Sequence, residues 1–116
     1  MRLRMKLWLE NEGGTLFGPG RRRLLELLAE TGSLAEAARR LDMSYRAAWG
    51  RLVASEERLG FPLVERDASG RRGSRLTPEA RQLLAAYQLL EKEAARRLAE
   101  LEKEFNQWRR QAPPPA

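Results

Sequence analysis

Leu3, Met5, Leu7 and Leu9 alternate with Arg4, Lys6 and Trp8, of which Trp8 interrupts a clean polar face; Asn11-Glu12-Gly13-Gly14 then breaks the run, and Thr15-Leu16-Phe17 follows. Alternation around a glycine-rich break predicts a β-hairpin at the N-terminus. After Gly18-Pro19-Gly20 the period changes. Leu24, Leu25, Leu27 and Leu28 stand at helical spacing between Arg21 and Thr31, and Gly32 provides the stop. Ser33 with Glu36 three residues later predicts a capping box, opening a short helix over Leu34 to Leu41 with Leu34, Ala37, Ala38 and Leu41 on one face. Asp42-Met43 is a tight connection. Ser44 is the N-cap of a third helix whose inner stripe is Ala48, Leu52, Ser55 and Leu59, ending at Gly60. Ser55 is the one polar position in that stripe.

Leu63 to Arg66 predicts a short strand and Arg75-Leu76-Thr77 its partner, with a Gly-, Ser- and Arg-rich loop from Asp67 to Ser74 between them. A fourth helical pattern opens at Pro78 behind Thr77 and runs to about Arg110, and Gln111-Ala112-Pro113-Pro114-Pro115 breaks it. The fold expected is mainly α with small β-hairpins: a winged helix-turn-helix over residues 1–77, a long dimerisation helix over 78–110 and a disordered proline-rich tail over 111–116.

Composition narrows the chemistry. Cysteine and histidine are both absent, which removes disulfides, thiolate metal sites and the commonest general base. Glu26, Glu30, Glu56, Glu57 and Glu65 form no catalytic motif and read as surface charge. An enzyme is not expected, and neither is a metal, a cofactor or a small-molecule ligand. No signal peptide or bilayer-length apolar run is visible, so a cytoplasmic protein without a membrane partner is expected. The 116 residues carry 22 Lys and Arg against 16 Asp and Glu, a net charge of +6. Of the 116, residues 1–77 hold 15 basic and 10 acidic side chains. That excess favours a polyanionic partner, with double-stranded DNA first in line.

Two helices joined by so short a turn must cross steeply, which leaves the N-terminal half of the second one open to a major groove. Candidate DNA contacts are Ser33, Ser44, Tyr45, Arg46, Trp49 and Arg51 on the two helices, with Arg71, Arg72 and Arg75 on the wing. Arginine pairs bidentately with guanine, serine and helix N-termini take phosphates, and a glycine-rich arginine loop suits a minor groove. Trp49 lies beside the inner stripe, which favours packing over readout. Arg21-Arg22-Arg23 reads either as backbone contacts or as a solvated charge run.

The runs Ser44-Tyr45-Arg46-Ala47-Ala48-Trp49, Leu59-Gly60-Phe61-Pro62-Leu63-Val64-Glu65-Arg66 and Leu76-Thr77 resemble the N-terminal DNA-binding domain of ModE-type molybdate-responsive regulators, and more broadly LysR-type regulators. The resemblance implies a winged helix dimerised through its long helix, with the third helix in the major groove and the wing on the flanking backbone. It does not extend to molybdate-binding domains. Ser55 stands where the family is usually apolar, and the wing has fewer glycines than the ModE pattern.

In the long helix, Tyr87, Leu90, Ala94, Leu98, Leu101, Phe105 and Trp108 recur at spacings of three and four with one stutter, marking a seam for a second copy of the chain. The reading is a sequence-specific DNA-binding homodimer that regulates transcription. Two alternatives stay open: a non-specific architectural nucleic-acid binder, and a protein-interaction module with weak DNA binding.

Overall fold

The computed structural model describes residues 1–65 and 74–114. Its elements are β1 (Leu9–Asn11), β2 (Gly14–Phe17), α1 (Pro19–Thr31), α2 (Leu34–Arg40), α3 (Tyr45–Leu59), β3 (Val64–Glu65), β4 (Arg75–Leu76) and α4 (Pro78–Gln111). Both strand pairs are antiparallel two-stranded sheets, with Leu9 opposite Phe17 in one and Val64 opposite Leu76 in the other. The mainly helical fold with two small hairpins and a long last helix follows the expected architecture.

Each helix boundary has a local cause. Gly32 and Gly60 close α1 and α3 in the left-handed conformation, at φ 68° and 84°. Ser33 accepts the Glu36 amide at 3.1 Å, Ser44 the Ala47 amide at 3.0 Å and Thr77 the Ala80 amide at 3.0 Å. The capping box is only half made, however. The Ser33 amide donates to Thr31 Oγ1 at 3.2 Å, and the Glu36 carboxylate turns to Arg39 and Arg40. Two guanidiniums within one helical turn outbid one backbone amide that already has a neighbouring hydroxyl.

The connection between α2 and α3 is a Schellman turn. The Met43 amide donates to Ala38 O at 3.0 Å and the Asp42 amide to Arg39 O at 3.1 Å, with Asp42 at φ 55°. Aspartate tolerates that left-handed position better than most residues. The turn is short enough that α2 and α3 meet through Ala37, Ala38 and Ala48, none more than 1% exposed.

The core lies under these helices: Leu24, Leu25, Leu27 and Leu28 of α1 pack with Leu34, Leu52, Leu63 and Leu76. The base of the β3–β4 hairpin is tied down on both sides. Ser74 N donates to Gly32 O at 2.8 Å, Thr77 N to Leu63 O at 3.0 Å, and the Thr77 hydroxyl to Pro62 O at 2.8 Å.

Two further expectations are overturned. The alternating segment before Leu9 is not paired as a strand; it runs extended along α4 in the opposite direction. Leu3 N donates to Glu102 at 3.5 Å, Asn106 Nδ2 donates to Met1 O at 3.0 Å, and the Tyr87 hydroxyl donates to Leu7 O. Asn11 pairs directly with Gly14 and Leu9 with Phe17, so β2 offers no residues beyond Phe17 to continue the ladder before α1 begins. Leu3 and Leu7 cover the side of α4 instead, both half-buried. Tyr87, whose spacing puts it on the seam of the long helix, is the second. It is fully buried inside its own chain, edge-on to Phe17 with ring centroids 5.1 Å apart. A side chain so enclosed has no surface left for a partner.

Tyr87→Phe keeps the ring packing and deletes one hydrogen bond. It is expected to destabilise the fold by about 1 kcal/mol in urea unfolding, against about 3–5 kcal/mol for Tyr87→Ala. Equal stability of wild type and Tyr87→Phe would mean that the bond to Leu7 holds nothing.

Candidate nucleic-acid interface

The first turns of α3 carry Ser44, Tyr45, Arg46 and Ala47, all exposed, with Gly50 and Arg51 exposed one turn later. Tyr45 is 56% exposed although it is a large ring. The opposite face, Ala48, Leu52 and Ser55, is buried against α1 and α2. Trp49 is half-buried and packs against the core, between the two faces. A Cβ added at Gly50 would meet nothing within 4 Å, so no neighbour inside the protein requires glycine there.

Charge on this surface is divided between neutralised and open arginines. Arg39 and Arg40 of α2 are engaged by Glu36, with Arg40 also 3.6 Å from Glu30. Those two guanidiniums draw the Glu36 pKa down from the usual 4.5 to about 2, chiefly through the hydrogen bond from Arg39 and then that from Arg40. Arg46 and Arg51 enter no ion pair among the described residues. Arg75, exposed at the foot of the β3–β4 hairpin, stands across the register from Glu65. Arg71 and Arg72, the expected wing contacts, lie outside the described residues, as does Arg66.

The fold therefore brings Ser44, Tyr45, Arg46 and Arg51 to one open helix end. Ser33 is half-buried at the start of α2, where its hydroxyl is occupied by the Glu36 amide. A helix-turn-helix with its second helix open and a tied-down hairpin behind it is the geometry of major-groove readers.

The family model for bacterial regulatory helix-turn-helix proteins of the lysR family matches residues 21–81, from the first turn of α1 to the first turn of α4. The chain belongs to that family. Among curated proteins, it is 37% identical over 95 residues to the molybdenum-pterin-binding protein MopB of Rhodobacter capsulatus, covering 80% of this chain and 35% of that protein. It is 35% identical over 104 residues to the molybdenum transport protein ModE of Azotobacter vinelandii, covering 88% of this chain and 38% of that one. The chain thus spans little more than a third of the length of these relatives. Among solved structures, the oxidised form of Corynebacterium glutamicum OxyR aligns with a TM-score of 0.54 at 28% identity, over 71% of this chain and 26% of that chain. Both halves of the resemblance, to ModE-type and to LysR-type proteins, are present.

One feature of this LysR-family domain escaped sequence reasoning. Arg21 does not simply enter solvent: its Nε donates to the hydroxyl of Ser55, which is fully buried. The polar residue in the apolar stripe of α3 was the available signal, because a buried hydroxyl requires a partner. Which of many arginines would supply it was not readable from spacing 34 residues apart.

Because Glu36 has a folded pKa below its unfolded value, its contribution to stability is present above about pH 4.5 and is lost as pH falls toward 2. A carboxyl titration followed by NMR is expected to give a midpoint near 2 for Glu36. The midpoint should move back toward 4.5 in an Arg39→Ala, Arg40→Ala double variant. An ordinary wild-type midpoint would break the assignment.

Proposed function

We propose that this chain is the DNA-binding unit of a transcriptional regulator of the LysR and ModE type, reading a two-fold operator as a homodimer. The observation that carries the reading is the open N-terminal half of α3, where Arg46 and Arg51, without an ion-pair partner among the described residues, and Tyr45 stand exposed beside a serine-capped helix terminus. The helix lies in the major groove, Arg46 and Tyr45 face base edges, and Ser44 and the terminus take a phosphate. Trp49 supports the helix from behind. Arg71, Arg72 and Arg75 follow the neighbouring backbone or minor groove from the wing. Ser33 contributes as the cap that fixes the start of α2.

The dimer reading rests on α4. At 34 residues it is about 51 Å long; Ala80, Leu84 and Tyr87 of its first turns are buried, and the segment before Leu9 lies along part of the remainder. Beyond them Leu90, Leu101, Phe105 and Trp108 stay 49%, 38%, 38% and 60% exposed, on the same stripe as half-buried Ala94 and Leu98. Phe105 and Trp108 lie against one another, tilted, with ring centroids 5.4 Å apart, so an aromatic patch of this size faces water unless a second helix covers it. The flank beside the stripe is laced by intrahelical pairs, Arg96 with Glu93 and Glu100, and Arg97 with Glu100, the pattern of a solvated coiled-coil edge. An exposed Leu89 lies off the stripe.

No helix among the described residues is long and apolar enough to cross a membrane. The charged surface and the family relation support a protein working on the chromosome in the cytoplasm, without catalysis of its own.

Selection of duplexes from a random pool tests the reading: recovery of a two-fold motif is expected, and binding without any sequence enrichment would replace it with the architectural alternative. At the selected site Arg46→Ala is expected to cost about 1–3 kcal/mol and to relax preference at one base pair. An equal loss on cognate and random duplexes would reduce Arg46 to a phosphate contact. Leu101→Lys is expected to yield a helical monomer by light scattering and to weaken binding to the two-fold site on the order of 10²-fold, while binding to one half-site is kept. A dimer that survives Leu101→Lys would move the seam away from the distal helix.

A further inference from the structure

Five of the described arginines sit beside carboxylates: Arg22 beside Glu26 and Glu91, Arg39 and Arg40 beside Glu36, Arg96 and Arg97 beside Glu100. The flank of α3 that faces the first turn of α1 gathers three arginines held by other means. Arg21 Nε donates to Ser55 Oγ, and Arg58 Nη1 donates to the Thr15 carbonyl at 2.8 Å. Arg51 completes the group: its Nη1 would stand 3.6 Å from a Cβ at Gly20, in that same first turn of α1. Arg58 folds over the β1–β2 turn, where a Cβ at Gly14 would be 3.3 Å from its Cζ. Neither hydrogen-bond acceptor is charged, so both guanidiniums are aimed without being neutralised. None of the three arginines has an ion-pair partner among the described residues.

Holding like charges together is unfavourable in the free protein. Burial first, then the Arg58 and Arg51 guanidiniums, lower the pKa of Arg21. The end of α1 adds to the same field, since Gly18 gives no side-chain cap and the first turn holds no acid. A cluster whose members repel one another, each with further N–H donors to give, is complementary to an anion.

We propose that Arg21, Arg51 and Arg58 form a binding site for a backbone phosphate of duplex DNA, on the strand bordering the groove that α3 occupies. The proposal rests on the DNA-binding reading and adds a contact surface formed by the first turn of α1 and the flank of α3 from Arg51 to Arg58. Helix geometry favours a DNA phosphate over a free anion. Residues 51 and 58, about 10 Å apart along the helix, lie on the flank between the exposed face of Arg46 and Gly50 and the buried face that holds Ser55. A helix inserted in a major groove about 12 Å wide sets its flanks against the sugar-phosphate walls. Ser55 is a positioning residue, which turns Arg21 toward that wall without touching the DNA.

The test is the salt dependence of binding by the full chain to its selected duplex, with a DNA-free arm in which melting is compared in inorganic phosphate and in chloride at equal ionic strength. Arg58→Gln is expected to reduce the slope of log K against log salt by about one unit and to weaken cognate and random duplexes by the same factor. Ser55→Ala, which leaves the net charge unchanged, is expected to weaken both duplexes equally as well, because Arg21 loses its anchor. In the free protein, phosphate is expected to raise the melting temperature of wild type more than that of Arg58→Gln. A wild-type slope in Arg58→Gln would overturn the proposal and leave the DNA-binding reading standing, as would equal melting of wild type in the two anions. Failure of wild type to bind any duplex would instead remove the reading on which the proposal rests. If circular dichroism shows Arg58→Gln unfolded, Arg51→Gln at its exposed position is read by the same criteria.

Discussion

The close approach of α2 to α3 is the constraint from which the rest of the domain follows. Ala37, Ala38 and Ala48 leave so little side chain between the two helices that a seven-residue helix suffices to hold the second one at its crossing. A larger residue at any of the three would push α3 outward and open the core beneath Leu52. The Schellman turn at Asp42 serves the same end, reversing the chain in the fewest residues and satisfying the last carbonyls of α2. With α3 pinned along its buried face, its N-terminal half is left open without any device dedicated to exposing it.

Electrostatics are then sorted by what each arginine finds nearby. On α2 and on the distal part of α4, glutamates three or four residues away neutralise the guanidiniums within a single helix. On α3 no such partner exists for Arg46 or Arg51 among the described residues, and the positive charge remains where a polyanion would dock. The division is local in origin and global in effect: helix-spaced acids keep the long helix soluble, and their absence on α3 gives the domain its charged face.

Tyr87 and the N-terminal segment show how one apolar stripe comes to serve two purposes. Tyr87 lies in the same helical phase as Leu101 and Phe105, so spacing alone assigns all of them to one seam. The fully buried positions of α4 end at Tyr87, where Phe17 and the Leu7 carbonyl close over the ring. Past that point Ala94 and Leu98 are half-buried while Leu90, Leu101, Phe105 and Trp108 stay exposed. The segment before Leu9 covers a neighbouring flank of α4 through Leu3 and Leu7, which its alternation could not distinguish from a strand pairing with β2.

The sequence by itself determined the helices, their caps, the tight turn and the identity of the open residues Ser44, Tyr45 and Arg46, because these depend on neighbours within about four positions along the chain. Only the tertiary structure decided which end of the long stripe is internal, where the first eight residues lie, and that Ser55 draws Arg21 toward Arg51 and Arg58. Those outcomes depend on contacts between residues 34 and 80 positions apart. A buried hydroxyl, a ring or an extended backbone states that it needs a partner, and the packing of the whole chain selects which one.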